Sequence, residues 1–337
     1  MYIFSKLRQA LQFKHLNAAA GLLFATVFLT ATLFGTACSS NDPYASLSTD
    51  FPMTVTDDLG RTITFDKVPQ RIVSLAPSNT EILFGLGLGD KIVGNTFYCD
   101  YPIEAQNIVS VGGYSDIDVE VVVALDPDLI LAEDIHKANV IPALEALGFK
   151  VYALVPHNLD EIMDSVITIG RLTGTMDEAR AITDDMRRRI KFITDKTSKL
   201  KADQKPNVLY VLWTDPIMSS GINTPIYDMI TKAGGVSVIQ DSIGFPTLSL
   251  EYVIAANPKV VICDVDSSWP GGNAPLVFMQ TDTRLKDIDA RASKRVYGID
   301  ASLTNRPVPR ILDGLEWIAA MIHPELFPQF VEKYMAS

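Results

Sequence analysis

The sequence predicts an α/β protein of two lobes, each with a central, largely parallel sheet. One long rigid α-helix joins the lobes and leaves a ligand cleft between them. Three observations carry this reading. Strand-like and helix-like segments alternate along most of the chain, the pattern of a parallel sheet with crossover helices. The stretch DVEVVVALDPDLIL (118–131) recurs as SLEYVIAANPKVVI (249–262), with Glu120 matching Glu251 and Pro127 matching Pro258. A pattern repeated once points to two related lobes rather than a solenoid. Between the copies, residues 175–201 contain no glycine or proline and carry acids early and bases late, which suits a helix and its dipole. At 1.5 Å per residue that helix spans roughly 40 Å.

The first 38 residues stand apart. Lys6, Arg8 and Lys14 precede LNAAAGLLFATVFLTATLFGTA, an uncharged run that ends at Cys38. A basic head, an apolar middle and a small-residue exit read as an export signal. The run is roughly 20 residues, so an uncleaved anchor also satisfies its length. Residues 39–52 form a polar leader, and either reading puts them and the rest of the chain outside the cytoplasm.

The N-terminal lobe is expected over 53–174. MTVTDDLGRTITF reads as a hairpin turning at Asp58 and Gly60. RIVSLA (71–76) is a strand, and Ser78-Asn79-Thr80-Glu81 reads as a capping box opening a helix over ILFGLGL. KIVGNT, the Glu120 helix, DLILA, a helix around IPALEALGF and VYALV follow. The connecting helix takes 175–204 and the C-terminal lobe 205–337. That lobe runs through NVLYVLW (207–213), IYDMITKAGG, VSVIQ, the Glu251 helix, KVVICDV and RVYGID to a closing helix, RILDGLEWIAAMI.

A chain of 337 residues can form two domains with ordinary cores. Its net charge of −11 argues against a nucleic-acid partner. Beyond Cys38, only Cys99 and Cys263 remain, one per lobe. They read as buried small hydrophobes, with a bridge as the alternative in an oxidising compartment. GLGLG (85–89) ends a helix instead of following a strand, so it lacks the context of a nucleotide loop. His15, His136, His157 and His323 are dispersed. His136 reads as an exposed loop residue, with a metal-centre contact as the alternative. No nucleophile–base pair assembles. The expectation is therefore a binding protein with no intrinsic cofactor, and a metal-dependent enzyme is the alternative from another class. Tyr98, Tyr101, Tyr114, Trp213, Phe245 and Trp269 fall on loops at strand ends. Singly each reads as core; together they suit a cleft for a large, rigid, partly apolar ligand.

Two resemblances add to this. GTAC followed by SSNDPYASLSTD resembles a bacterial lipoprotein signal, with Gly35 where that pattern has a leucine-like residue. It implies that Cys38 is lipidated and anchors the mature chain to the cell membrane. PQRIVSLAPSNTEILFGLGLGDKIVGNTFYCDYP, then VGGYSDIDVEVVVALDPDLILA, resembles the N-terminal lobe of class III ABC-importer substrate-binding proteins. The likeness covers about residues 53–330. That class serves vitamin B12, ferric siderophores and heme, and FYCDYP and Leu-Trp-Thr-Asp-Pro (212–216) resemble its corrinoid binders.

The resemblance implies a corrinoid ligand, cobalamin or cobinamide, with heme or a ferric siderophore as alternatives. It implies contacts from Tyr98, Tyr114, Trp213 and Phe245, and from the 302–306 loop with Leu303 and Arg306. Tryptophans of the better-known corrinoid binder stand where this chain has Tyr114, Phe245 and Glu133, so Glu133 brings a carboxylate to the site. A siderophore binder would show cationic cleft residues, for which Arg306 and Arg310 are the candidates; RPVPR reads equally well as a loop and helix start. Glu120 and Glu251 match the docking acids that pair with arginines of a two-fold ABC permease and its ATPase subunits. From spacing alone they read as first-turn acids behind Asp118 and Ser249, each worth about 0.3–1 kcal/mol to its helix. The protein is expected to act as a monomer.

Overall fold

The computed structural model describes residues 43–44, 46–266 and 271–335, so the apolar leader, Cys38 and Trp269 lie outside the described residues. The chain divides into two units, Met1–Leu47 and Ser48–Ser337. In the first, the Leu47 amide donates to the Tyr44 carbonyl at 3.1 Å. The second holds every element named below.

It opens on an antiparallel hairpin, β1 (Met53–Thr56) and β2 (Thr62–Phe65), paired from Met53↔Phe65 to Thr56↔Thr62. Asp57 closes the turn by accepting from the amides of Leu59 and Arg61, at 3.1 and 2.8 Å. Next come β3 (Ile72–Ser74), α1 (Pro77–Gly85), β4 (Ile92–Asn95), α2 (Val119–Ala124), β5 (Leu129–Ala132), α3 (Val140–Ala146) and β6 (Val151–Ala153). Their strands form a parallel sheet in the order β4-β3-β5-β6. Every residue of β3, β5 and β6 is buried, as expected of parallel strands covered on both faces.

α1 corrects the expected capping box. The helix starts at Pro77, whose fixed φ suits a first helical position, and its N-cap Ala76 makes no side-chain bond. Ser78 and Glu81 therefore lie inside the helix, and their side chains serve the cleft instead.

Two helices follow, α4 (Leu159–Thr173) and α5 (Met176–Thr197). α4 is absent from the sequence reading, although both its ends are marked. Asn158 caps it by accepting from the Glu161 amide, and Gly174 ends it in the left-handed region at φ 74°. A two-residue turn joins α4 to α5 as a helical hairpin. Gly170 permits the close approach: a Cβ there would lie 2.5 Å from that of Ala179. α5 ends at Thr197, short of the expected 201. The connecting rod is thus two helices thick. Leu159, Ile162 and Met163 of α4 share a core with Val208 and Tyr210 farther along the chain. Arg189 of α5 binds Asp313 at 2.5 Å and Glu316 at 2.7 Å.

The second half contains β7 (Asn207–Val211), β8 (Trp213–Thr214), β9 (Ile217–Met218), α6 (Pro225–Lys232), β10 (Val236–Ser237), β11 (Thr247–Leu248) and α7 (Leu250–Ala256). It continues with β12 (Val260–Val265), α8 (Ala274–Thr281), α9 (Asp289–Ala292), β13 (Val296–Asp300), α10 (Ile311–Ile322) and α11 (Pro328–Met335). A second parallel sheet has the order β10-β7-β12-β13, and β11-β9-β8 form a small antiparallel one.

The sequence repeat is also a structural one. α2 and α7 each hold a glutamate at the second helical position, behind a capping side chain. Asp118 accepts from the Glu120 and Val121 amides, and Ser249 from that of Tyr252. Left-handed residues follow both helices, Asp126 at φ 46° and Asn257 at φ 41°. Each unit then enters an interior strand, β5 or β12.

Candidate ligand cleft

Parallel sheets place binding loops beyond the carboxyl ends of their strands. Here β4 leads to Phe97 and Tyr98, β5 to Glu133, β12 to Asp266 and β13 to Ala301 and Ser302. All of these line one of two cavities, of about 950 and 330 Å³. Tyr98, Asn305 and Arg306 line both. Residues from both sheets thus bound each space.

A cluster of charges ties the two halves together beside these cavities. Arg306 Nη1 donates to Glu81 Oε1 at 2.9 Å and to Asp100 Oδ1 at 2.6 Å. Arg310 grips the same glutamate with Nε to Oε2 at 3.1 Å and Nη2 to Oε1 at 2.9 Å. Its guanidinium also sits 4.3 Å from the centre of the Tyr101 ring. Tyr101 therefore supports the clasp instead of lining either cavity. The two arginines that would mark a siderophore site have their charge met inside the protein.

The lining of the smaller cavity includes a polar cluster built around Glu133. Its carboxyl accepts from the Ser78 hydroxyl at one oxygen and from the Tyr114 hydroxyl at the other. Burial pushes this carboxyl above the usual range, against the pull of those two hydrogen bonds. The Glu133 amide donates to His136 Nδ1 at 3.0 Å, so Nε2 carries the ring proton and donates to the Tyr114 carbonyl at 2.9 Å. His136 is only 1% exposed, and burial lowers its pKa. The expectation of an exposed loop histidine is corrected. The ring is a neutral brace whose two nitrogens hold the Glu133 turn against the Tyr114 loop.

Asp264 occupies in the second half the repeat position that Glu133 holds in the first; both pairs, Glu120–Glu251 and Glu133–Asp264, are 131 residues apart. It too accepts from a tyrosine hydroxyl, that of Tyr210, and from Asn305 Nδ2 at 2.7 Å. Burial raises its pKa to about 6 despite these bonds.

Of the residues expected at the ligand, Tyr98, Tyr114, Glu133 and Arg306 come together around the smaller cavity. Trp213 and Phe245 do not line either one. They stand 49% and 53% exposed on the small antiparallel sheet and the segment leading into it. Leu303 lines neither cavity; its backbone carbonyl lies against Gly314 of α10, where a Cβ would come within 2.2 Å. Ser302 and Asn305, from the expected 302–306 loop, also line the cleft, whereas Phe97, Leu276 and Trp317 were not foreseen. Phe97 neighbours a predicted residue in the chain; Leu276 and Trp317 carry no local signal. Glu120 and Glu251 are both exposed. Backbone and Ser249 hydrogen bonds, with Arg284 nearby, hold the Glu251 carboxyl below the usual range. Cys99 and Cys263 are free and buried, and burial pushes both thiols up.

Two lobes, a rod and a shared cleft describe a binding protein, and comparison with known proteins fixes the family. The family model described as periplasmic binding protein matches residues 72–303. The chain belongs to the periplasmic binding protein family. This family member is 31% identical to the uncharacterized ABC transporter substrate-binding lipoprotein YvrC of Bacillus subtilis, over 92% of this chain and 98% of that one. It is 30% identical to a cobalamin-binding protein of Halobacterium salinarum, over 92% and 85% of the two chains. Its fold is similar to the crystal structure of the periplasmic vitamin B12 binding protein of Vibrio cholerae, with a TM-score of 0.66 and 27% identity over 76% and 97% of the chains.

Proposed function

We propose that this binding protein of an ABC importer captures a corrinoid, cobalamin or cobinamide, between its two sheets and delivers it to the permease. The charge of the cleft carries the reading. Among the described residues, the larger cavity is lined by Asp100, Asp266 and Asp300 against one cation, Arg306, which is itself paired with Asp100 and Glu81. A heme with two propionates, or a polycarboxylate siderophore, meets a wall of its own sign there. A corrin ring edged with carboxamides does not. The Phe97 and Tyr98 rings supply flat apolar contact, and about 950 Å³ stands at the upper end of small-molecule sites.

In this reading Tyr98, Tyr114, Glu133 and Arg306 meet the ligand within the cleft, and Trp213 and Phe245 meet it at the rim. Glu120 and Glu251 dock on the permease, and lipid on Cys38 holds the protein at the membrane. The likeness to cobalamin-binding relatives supports the same ligand class. Titration of the purified protein with cyanocobalamin, hemin and a ferric siderophore, followed by calorimetry and absorption, tests the assignment. Cobalamin is expected to bind tightest. Tight siderophore binding with no cobalamin heat overturns it.

A further inference from the structure

The polar groups of the smaller cavity are sorted in an informative way. The Ser78 and Tyr114 hydroxyls both donate into Glu133, and the Asn305 amide nitrogen donates to Asp264. Apart from the second N–H of Asn305, what these residues still offer is acceptors: a carboxylate has about four lone-pair sites, and two are used here. The Asn305 side-chain oxygen is a further acceptor in the same lining. Arg306, in the same lining, retains N–H donors, but its charge is met by Glu81 and Asp100. The lining therefore offers acceptors at Glu133 and Asn305, donors at Arg306, and an excess of negative charge.

We infer that this cavity is a receptor for a primary carboxamide on the ligand's edge and that Glu133 discriminates against the corresponding carboxylate. The inference rests on the corrinoid reading above. The amide NH2 donates to Glu133 and Asn305, while its carbonyl accepts from Arg306. An ammonium group has nothing to offer Arg306. A carboxylate suits Arg306 but faces Glu133 with like charge and no proton to donate. The position is held in place, because His136 fixes the turn that carries Glu133 and the Tyr114 hydroxyl holds its carboxyl even without Ser78. A fixed acceptor cannot turn away from the wrong group, so it rejects as well as binds.

The test compares cobalamin with its monocarboxylates, in which single side-chain amides are hydrolysed to acids, by calorimetry at pH 7.5. Like-charge juxtaposition predicts that at least one acid binds the wild type about tenfold more weakly than cobalamin. Glu133→Gln, which can donate to a carboxylate, is expected to shrink that gap to within about threefold. Ser78→Ala, which keeps the carboxylate, is expected to preserve it. Equal binding of all acids by the wild type overturns the inference, as does an unchanged gap in a folded Glu133→Gln protein. If cobalamin itself does not bind, the corrinoid reading fails, and the pocket is read with heme and heme bis-amide instead. A preference for the bis-amide then supports the carboxamide receptor, and a preference for heme overturns it.

Discussion

Arg310 and Glu81 form a two-point contact across the protein, Nε to Oε2 at 3.1 Å and Nη2 to Oε1 at 2.9 Å. Glu81 belongs to α1 beside the first sheet, and Arg310 caps α10 beside the second. The glutamate side chain is 4% exposed, so removing it strands the Arg310 guanidinium in a mostly enclosed place and leaves Arg306 with Asp100 alone. Glu81→Ala is expected to lower the unfolding free energy by about 3 kcal/mol, the scale of breaking a buried pair. Urea unfolding measures this, and a loss below about 0.5 kcal/mol means the clasp contributes nothing net.

Tyr98 borders both cavities, whereas Trp213 borders neither. Tyr98→Ala is expected to weaken cobalamin binding by about 2 kcal/mol, as a central aromatic contact does. Trp213→Ala is expected to cost less than about 1 kcal/mol, as rim contacts do. Calorimetry ranks the two, and the reverse order moves the ligand toward the small antiparallel sheet.

Asp264 sets a pH dependence of stability. Its folded pKa of about 6 lies above the ordinary 3.8, so between those values the folded state holds a proton that the unfolded chain has lost. Stability from this group is therefore full below about pH 4 and falls as pH rises through 6, by at most about 3 kcal/mol. Asp264→Asn is expected to flatten that fall. Melting temperatures of both proteins from pH 4 to 7 give the comparison; parallel curves exclude Asp264 as its source.

Glu120 and Glu251 are exposed and sit on short helices, so reversing both charges should disturb docking more than folding. Glu120→Arg with Glu251→Arg is expected to leave cobalamin affinity and melting temperature nearly unchanged. Ligand-stimulated ATP hydrolysis by the reconstituted permease should be lost. Normal stimulation by the double variant reduces the two acids to helix-stabilising residues.

Cys38→Ser is expected to release the mature protein from the membrane into the surrounding fluid. Cell fractionation reads the outcome, and intact mass shows whether residues 1–37 have been removed. Retention of those residues on the membrane-bound protein favours an uncleaved anchor.

Features with a local cause were legible in the sequence. The runs of buried strands and the proline after each glutamate helix lie within short windows, the 131-residue repeat shows because each copy is itself a short window, and the structure carries them. α4 is absent from the sequence reading although its buried face carries no acid, its three acids stand off that face, and Asn158 and Gly174 mark its ends. Ser78 and Glu81 fit a capping pattern, and nothing nearby reveals that Glu133, Arg306 and Arg310 compete for them. His136 looked exposed because its partners, the Glu133 amide and the Tyr114 carbonyl, are backbone groups with no sequence signature. The cleft is made of such long-range pairings, so its chemistry emerged only with the fold.

Matched helices on the two halves have a statistical consequence for any two-fold partner. A surface with two equal footholds can be seated in either of two orientations related by half a turn, and this degeneracy adds about RT ln 2, or 0.4 kcal/mol, to association. The footholds here are not quite equal. Neither α2 nor α7 carries a basic residue of its own, but Arg284, from the 283–285 turn, lies close enough to Glu251 to lower its pKa. Because the two seatings on an exactly two-fold surface are identical by symmetry, that arginine favours neither of them, and the degeneracy survives the inequality of the two helices.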